Sequence, residues 1–520
     1  MKKIILIISA LTVSMISQSC SDKFDEIDIN PNSTDKPLTY GIFNSANKEL
    51  MDNTRDEWTS GRIALPWIQY SAQTGYTEED RYRFRAANND SFWSFSYRVA
   101  QDYKRIADLN TDPVTAAQMS VYGPNKNQIA AARVMLSYVF LNLVDTYGDI
   151  PYYSYGNKDA DFQALDIDKY VQPKFASQQK IYADILKELK ESAQMIDVNS
   201  KVFTQGDLLF GSGLKLKKFA NSLRLRVATR VKGVVPTAEE HITDAIASGV
   251  MTSNTDNVGL TYENNLVNPS PMFDNFRTRT DFSVSKTFVQ LLKGEKGNFS
   301  LDPRLFKYAS PMNATQTQIL NGTSIESNNP ADFKGMPYGL PSTMTASQLD
   351  EINFFSKNVL KPNYTEIFME YSEVEFLLSE ANGWAQDHYE KGVKASMERW
   401  GVEASKINAF VSSLPVASKE NVLTQKYVAL YMQPFEAWAE YRRTGYPNTL
   451  LLPGQTAELN IPVDGETTYT FVSLIAGLTD IPTRLLYPTA SQNLNTINYQ
   501  AASQSIGGDK MNTKLIWDKN

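Results

Sequence analysis

The chain has 520 residues, 42% apolar and 21% charged, which is the make-up of a folded protein long enough for about three domains at ~150 residues each. With 51 Lys and Arg against 58 Asp and Glu, it has no basic footprint for displacing counterions from a nucleic acid. One Cys and two His are too few for a disulfide framework, a Cys/His zinc site or an HExxH metalloprotease helix.

Residues 1–19 read as a secretory signal: the basic pair Lys2 and Lys3, an apolar run over 4–13, then Ser17-Gln18-Ser19. The run is too short to stay as a transmembrane span. The sole cysteine, Cys20, follows directly, at the position where bacterial lipoproteins carry the thiol that receives diacylglycerol, although Ser17 stands where Leu is usual. Lipidation at Cys20 is therefore expected, with membrane anchoring through acyl chains. Loss of Lys2 and Lys3 takes the net charge from −7 to −9. Residues 20–37, with Asp22, Asp25, Glu26 and Asp28, read as an acidic tether; Asp28, Asn30 and Asn32 lack the Gly and bidentate Glu of a calcium loop.

Aromatic density peaks next. Nine of the 31 residues from Trp67 to Tyr97 are aromatic, interleaved with Gln, Arg and Asn. Flat rings beside amides and guanidinium groups suit sugars or extended peptides. Phe92, Phe95 and Tyr97 read as core, whereas Tyr76, Tyr82 and Trp93 are stacking candidates and Arg81 and Asn89 polar ones.

Helical periodicity follows over 129–147 and 181–196, and most clearly over 364–384, where Ile367, Tyr371, Val374, Leu378 and Ala381 form one stripe. Glu366, Glu370, Glu373 and Glu380 fall on another face, read as solvated. The pairs 177–196 with 215–232 and 364–386 with 390–401 resemble tetratricopeptide hairpins without a strict 34-residue period. Loops rich in Asn, Thr, Gly and Pro cover 252–282, 308–350 and 444–500, and loops of such length usually carry function. They add Asn268, Arg277 and Tyr338 to the candidate ligand contacts. The expected architecture is mainly α: one helical-hairpin unit over 38–520, with loop-rich insertions on one face.

No catalytic constellation stands out. Gly211-Ser212-Gly213 is not a GxSxG elbow, neither His241 nor His388 sits in a base-like context, and no nucleotide-binding glycine motif or metal set is present. No catalytic residue and no cofactor is assigned. Two carboxylates would suffice for a glycosidase, so that chemistry stays open.

Six segments taken together resemble the SusD/RagB family of outer-membrane nutrient-binding lipoproteins: YGDIPYYSYG from Tyr147, FANSLRLRVATR from Phe219, DPRL from Asp302, YSEVEFLLSEA from Tyr371, EAWAEYRRTGYP from Glu436 and NYQAA from Asn498, before the KLIWDKN terminus. The resemblance implies a surface-exposed, lipid-anchored, tetratricopeptide-like binder that captures oligosaccharide or peptide nutrient and sits as a lid on a TonB-dependent, SusC-like transporter, without catalysis. It also implies structural roles for Arg224, Arg226, Arg230, Glu436 and Arg443. Two departures stand out: Pro434, expected to kink its helix, and Ser491, where an acid is common. The competing readings are a surface glycosidase and a tetratricopeptide-type adaptor.

Overall fold

The computed structural model describes residues 37–518, so Cys20 and nearly all of the acidic tether lie outside the described residues. Six long helices follow one another through the first half: α1 (Thr39–Thr54), α2 (Ala86–Thr111), α3 (Asn125–Tyr147), α4 (Gln178–Met195), α5 (Gly213–Arg230) and α6 (Ala238–Ala247). Each packs on the next. Local chemistry sets their starts: Ser177 and Ser212 cap α4 and α5 by accepting from the Lys180 and Lys215 amides. Ser212, the one serine in a Gly-Ser-Gly, is thus a helix cap. α3 is long and apolar enough to cross a membrane, but 94% of its apolar window is buried, which makes it the core helix of this scaffold.

The second half holds α7 (Tyr371–Ala381), α8 (Gln386–Arg399), α9 (Ala404–Ser412), α10 (Lys419–Ala429) and α11 (Pro434–Thr444). α7 pairs with α8 and also packs on α5 and α10, which joins the two halves. Two expectations are corrected here. The predicted helix over 364–384 is a strand for its first part, β4 (Thr365–Met369), because these residues pair antiparallel with β2 (Val258–Thr261) from a distant loop. The helix begins only at Tyr371, after an extended Glu370. Pro434 does not kink a helix: it occupies the first turn of α11, where its missing N–H has no partner to lose. The same helix ends at Gly445, whose φ of 77° is the left-handed conformation a glycine stop supplies.

The glutamate face also differs from expectation. Glu366, Glu370 and Glu373 are all 1% exposed or less. Each meets an arginine from elsewhere in the chain: Arg55 at 3.7 Å, Arg399 at 3.0 Å and Arg226 at 2.5 Å. Glu380 pairs with Arg443 at 2.7 Å. The network continues inward, where Arg230 holds both Asp145 and Glu436, and Lys426 meets Glu440 at 2.8 Å. Burial alone would raise the Glu440 carboxyl, but Arg443 and Lys426 outweigh it and hold this group well below the usual carboxylate range. Glu366 has weaker support: desolvation pushes it up to about 7 despite Arg55 and Arg399.

Two further ladders matter. β1 (Ser71–Gln73) pairs antiparallel with β3 (Phe282–Val284), and β5 (Thr456–Val463) pairs with β6 (Glu466–Thr470). The first brings together loops about 200 residues apart.

Candidate ligand-binding surface

Between α1 and β1 the chain makes a π-helical turn, Ser60–Ala64. Gly61 is required there: a Cβ would lie 2.8 Å from the ring of Phe282 on β3, which packs directly on this backbone. Just before the turn, the Asp56 carboxylate accepts from the Thr59 amide at 2.7 Å, and burial raises its pKa to about 7. This tight turn pushes Trp58 outward, 43% exposed, and the Asn88 side chain holds its carbonyl at 2.9 Å.

The β1–β3 ladder supplies the second ring. Beyond Gln73, the Thr74 amide donates to the Asp281 carbonyl at 2.8 Å and its hydroxyl to the Thr280 carbonyl at 2.5 Å. The loop so pinned presents Tyr76, 61% exposed and at φ 56°, a left-handed conformation uncommon for a non-glycine residue and one that clusters at functional sites.

Beneath the two rings lies Arg62, 4% exposed. Its guanidinium carbon is 5.0 Å from the centre of Trp58, 6.0 Å from Tyr76 and 5.7 Å from Phe282. It donates to Asp281 at 3.0 Å and lies 3.8 Å from Glu79. Arg279 approaches Tyr76 at 5.8 Å and also holds Asp281, at 2.7 Å. The result is a shallow surface of two exposed aromatic faces over a fixed cation, with a second guanidinium at its edge.

The sequence candidates distribute unevenly over this geometry. Tyr76 is on the surface, and Arg277, exposed and paired with Asp274 at 2.7 Å, belongs to the same loop as Arg279. Arg81 donates to the Val472 carbonyl at 3.2 Å and ties the Tyr76 loop to the segment after β6. Asn268 closes its own turn with Asn265 and Glu263. Three candidates are corrected because no face of theirs reaches solvent. Tyr82 and Tyr338 are 0% exposed and both pack edge-on against Phe471. Asn89 is buried, donating to the Leu486 carbonyl and accepting from Tyr147. Trp93 lies elsewhere, in a groove of about 560 Å³ whose wall includes Tyr97, Pro151, Tyr170, Val171, Ser491 and Leu494. Its ring is already engaged by Tyr97, Tyr147 and Phe175. Trp58, Arg62 and Arg279 were not among the candidates; the available signal was a lone Trp in the polar run Asp56-Glu57-Trp58-Thr59-Ser60, with no apolar period to bury it.

Comparison with known proteins decides the family. A family model described as starch-binding and associating with the outer membrane matches residues 31–464, and one described as the SusD and RagB outer-membrane lipoprotein matches residues 416–518. The chain belongs to the SusD family. Among solved structures it is similar to a chitin-binding protein, with 25% identity, TM-score 0.71 and coverage of 93% of this chain and 100% of that one. It is also similar to a SusD homologue from Bacteroides ovatus, with 21% identity, TM-score 0.70 and coverage of 94% and 100%. A chitin-binding SusD homologue from Flavobacterium johnsoniae shares the fold at 20% identity, TM-score 0.68 and coverage of 93% and 99%. No curated protein matches the sequence. The tetratricopeptide-like helical architecture is thus that of the SusD fold. Several SusD motif residues lie inside it: Arg226, Arg230, Glu373, Glu436 and Arg443 belong to the buried ion network, away from Trp58 and Tyr76.

Proposed function

We propose that this SusD-family protein captures glycan at the Trp58–Tyr76 surface and delivers it to a TonB-dependent outer-membrane transporter, anchored by lipid on Cys20 and exposed at the cell surface. The observation that carries the glycan reading is the pair of exposed rings held in place by one buried guanidinium, with Arg279 at their edge, since sugar rings stack on flat faces while polar groups beside them orient their hydroxyls. The chitin-binding relative at 25% identity supports a glycan over a peptide. The reading is of binding without turnover, with Asp281 holding Arg62 and Arg279, and Glu79 holding Arg85, in place beside the rings.

Calorimetry of residues 21–520 against a panel of soluble oligosaccharides and peptides, with product analysis by mass spectrometry, tests this. Saturable binding of a glycan that is recovered intact is the expected result. Binding of peptides only, or glycan cleavage that stops on replacing one carboxylate, overturns it. Co-purification of a β-barrel transporter from native outer membranes tests the delivery step.

A further inference from the structure

Arg62 stands apart from the other arginines of the surface. Arg277 is exposed and Arg279 half-buried, and both can meet ligand, whereas Arg62 is closed off beneath the rings. It is also the only one of the three with both Trp58 and Tyr76 within 6.0 Å of its guanidinium carbon. Trp58 and Tyr76 come from separate segments, one before the π-turn and one after β1, and Arg62 within the turn touches both. A guanidinium over a ring face is attractive, and a buried one is fixed in place by its ion pairs, here to Asp281 and Glu79. The ring centres can lie no farther apart than their two distances to this one carbon combined.

The geometry points to Arg62 as a positioning residue that fixes the spacing of the two aromatic faces, so that the surface recognises an oligosaccharide long enough to cover both rather than a single sugar. This rests on the reading of the surface as a glycan site. Arg62 touches no ligand; it acts through Trp58 and Tyr76. Its removal leaves neither carboxylate orphaned, because Asp281 keeps Arg279 and Glu79 keeps Arg85, so Arg62→Met is expected to fold. Arg62→Lys keeps the charge without the planar fork.

Two measurements test it. The first is calorimetry with N-acetylglucosamine and its linear dimer and tetramer. The parent protein should gain about a hundredfold in affinity from monomer to tetramer, as a second attachment made intramolecular allows. Arg62→Met should lose most of that gain, and Arg62→Lys should recover part of it. If Trp58→Ala and Tyr76→Ala leave tetramer binding unchanged, the site reading fails. If those two weaken it and Arg62→Met keeps the full gain with length, the positioning role alone fails. The second needs no ligand: amide exchange over 56–59 and 74–78 should quicken in Arg62→Met and stay near the parent rate in Arg62→Lys. Equal exchange in all three proteins overturns the proposal whether or not chitin fragments bind.

Discussion

Two regions of this molecule are built from the same pairing of arginine with carboxylate, to different ends. In the scaffold, Arg226 and Arg230 meet Glu373, Glu436 and Asp145 between helices, with side chains 10% exposed or less. At the proposed ligand surface, Arg62 and Arg279 meet Asp281 under two rings that remain open to solvent. In the first region the charges pair between helices, the ring beside Arg230, Trp517 at 5.8 Å, is itself buried, and the network specifies which helices may touch. In the second, one side of the arginines faces carboxylates and the other faces aromatic rings, so the ion pairs hold a surface in readiness. The difference between the two regions lies in whether the rings beside the guanidinium stay open to solvent.

The contrast can be tested from its strong end. Arg230→Ala removes the cation shared by Asp145 and Glu436 and leaves both buried; it should cost about 3–5 kcal/mol in urea unfolding, without a change in the m-value. Tyr82→Ala and Tyr76→Ala compare two tyrosines six positions apart, both at positive φ. Tyr82 is core, so its truncation should cost about 3 kcal/mol.

Glu366 probes the weakest link of the buried network. Its carboxyl titrates at about 7 in the fold against 4.5 when unfolded, with Arg55, Arg399 and Asp52 facing it. The fold therefore binds the extra proton between those values. Stability from this group is complete below pH 4.5 and is lost as pH rises through 7. Glu366→Gln should gain stability relative to the parent by ~2 kcal/mol between pH 5 and pH 8.5, read from denaturant midpoints at each pH. A gain that does not depend on pH would show that Arg55 keeps the carboxylate ionised throughout.

The smallest effect is the sharpest. Tyr76→Ala should shift stability by less than ~0.5 kcal/mol, since its ring is in solvent, while weakening glycan binding about tenfold. A large drop in melting temperature would place the ring in the core and remove it from the site.

Much of the scaffold was legible in the sequence because α3 is one long apolar run, α4 carries its own apolar stripe, and Ser177 and Ser212 cap α4 and α5. The 364–384 run misled because its spacing suits a helix while its first residues are claimed by β2, about a hundred positions earlier. The burial of Glu366, Glu370 and Glu373 was equally illegible: a helix wheel shows a polar face, but not that Arg55, Arg399 and Arg226 will arrive to cover it. At the site, the aromatic window led to Tyr76 and also to Tyr82, because composition cannot tell which of two tyrosines in one loop turns inward. Trp58 was missed because it stands alone, and its significance comes from Arg62 and from a strand pairing across about 200 residues.

Residues 262–281 are clamped at one end by the β2–β4 ladder and at the other by β1–β3. Between those clamps the chain can be lengthened while the helices remain in register, so long as the buried Tyr262, Met272, Phe273 and Phe276 keep their places in the core and Asp281 keeps Arg62 and Arg279. Doubling the length of such a loop adds only about 0.6 kcal/mol of closure entropy. The segment is thus a natural cassette: on the proposed glycan reading, splicing another relative's loop between Thr261 and Asp281 should change which sugar is held without rebuilding the helical chassis.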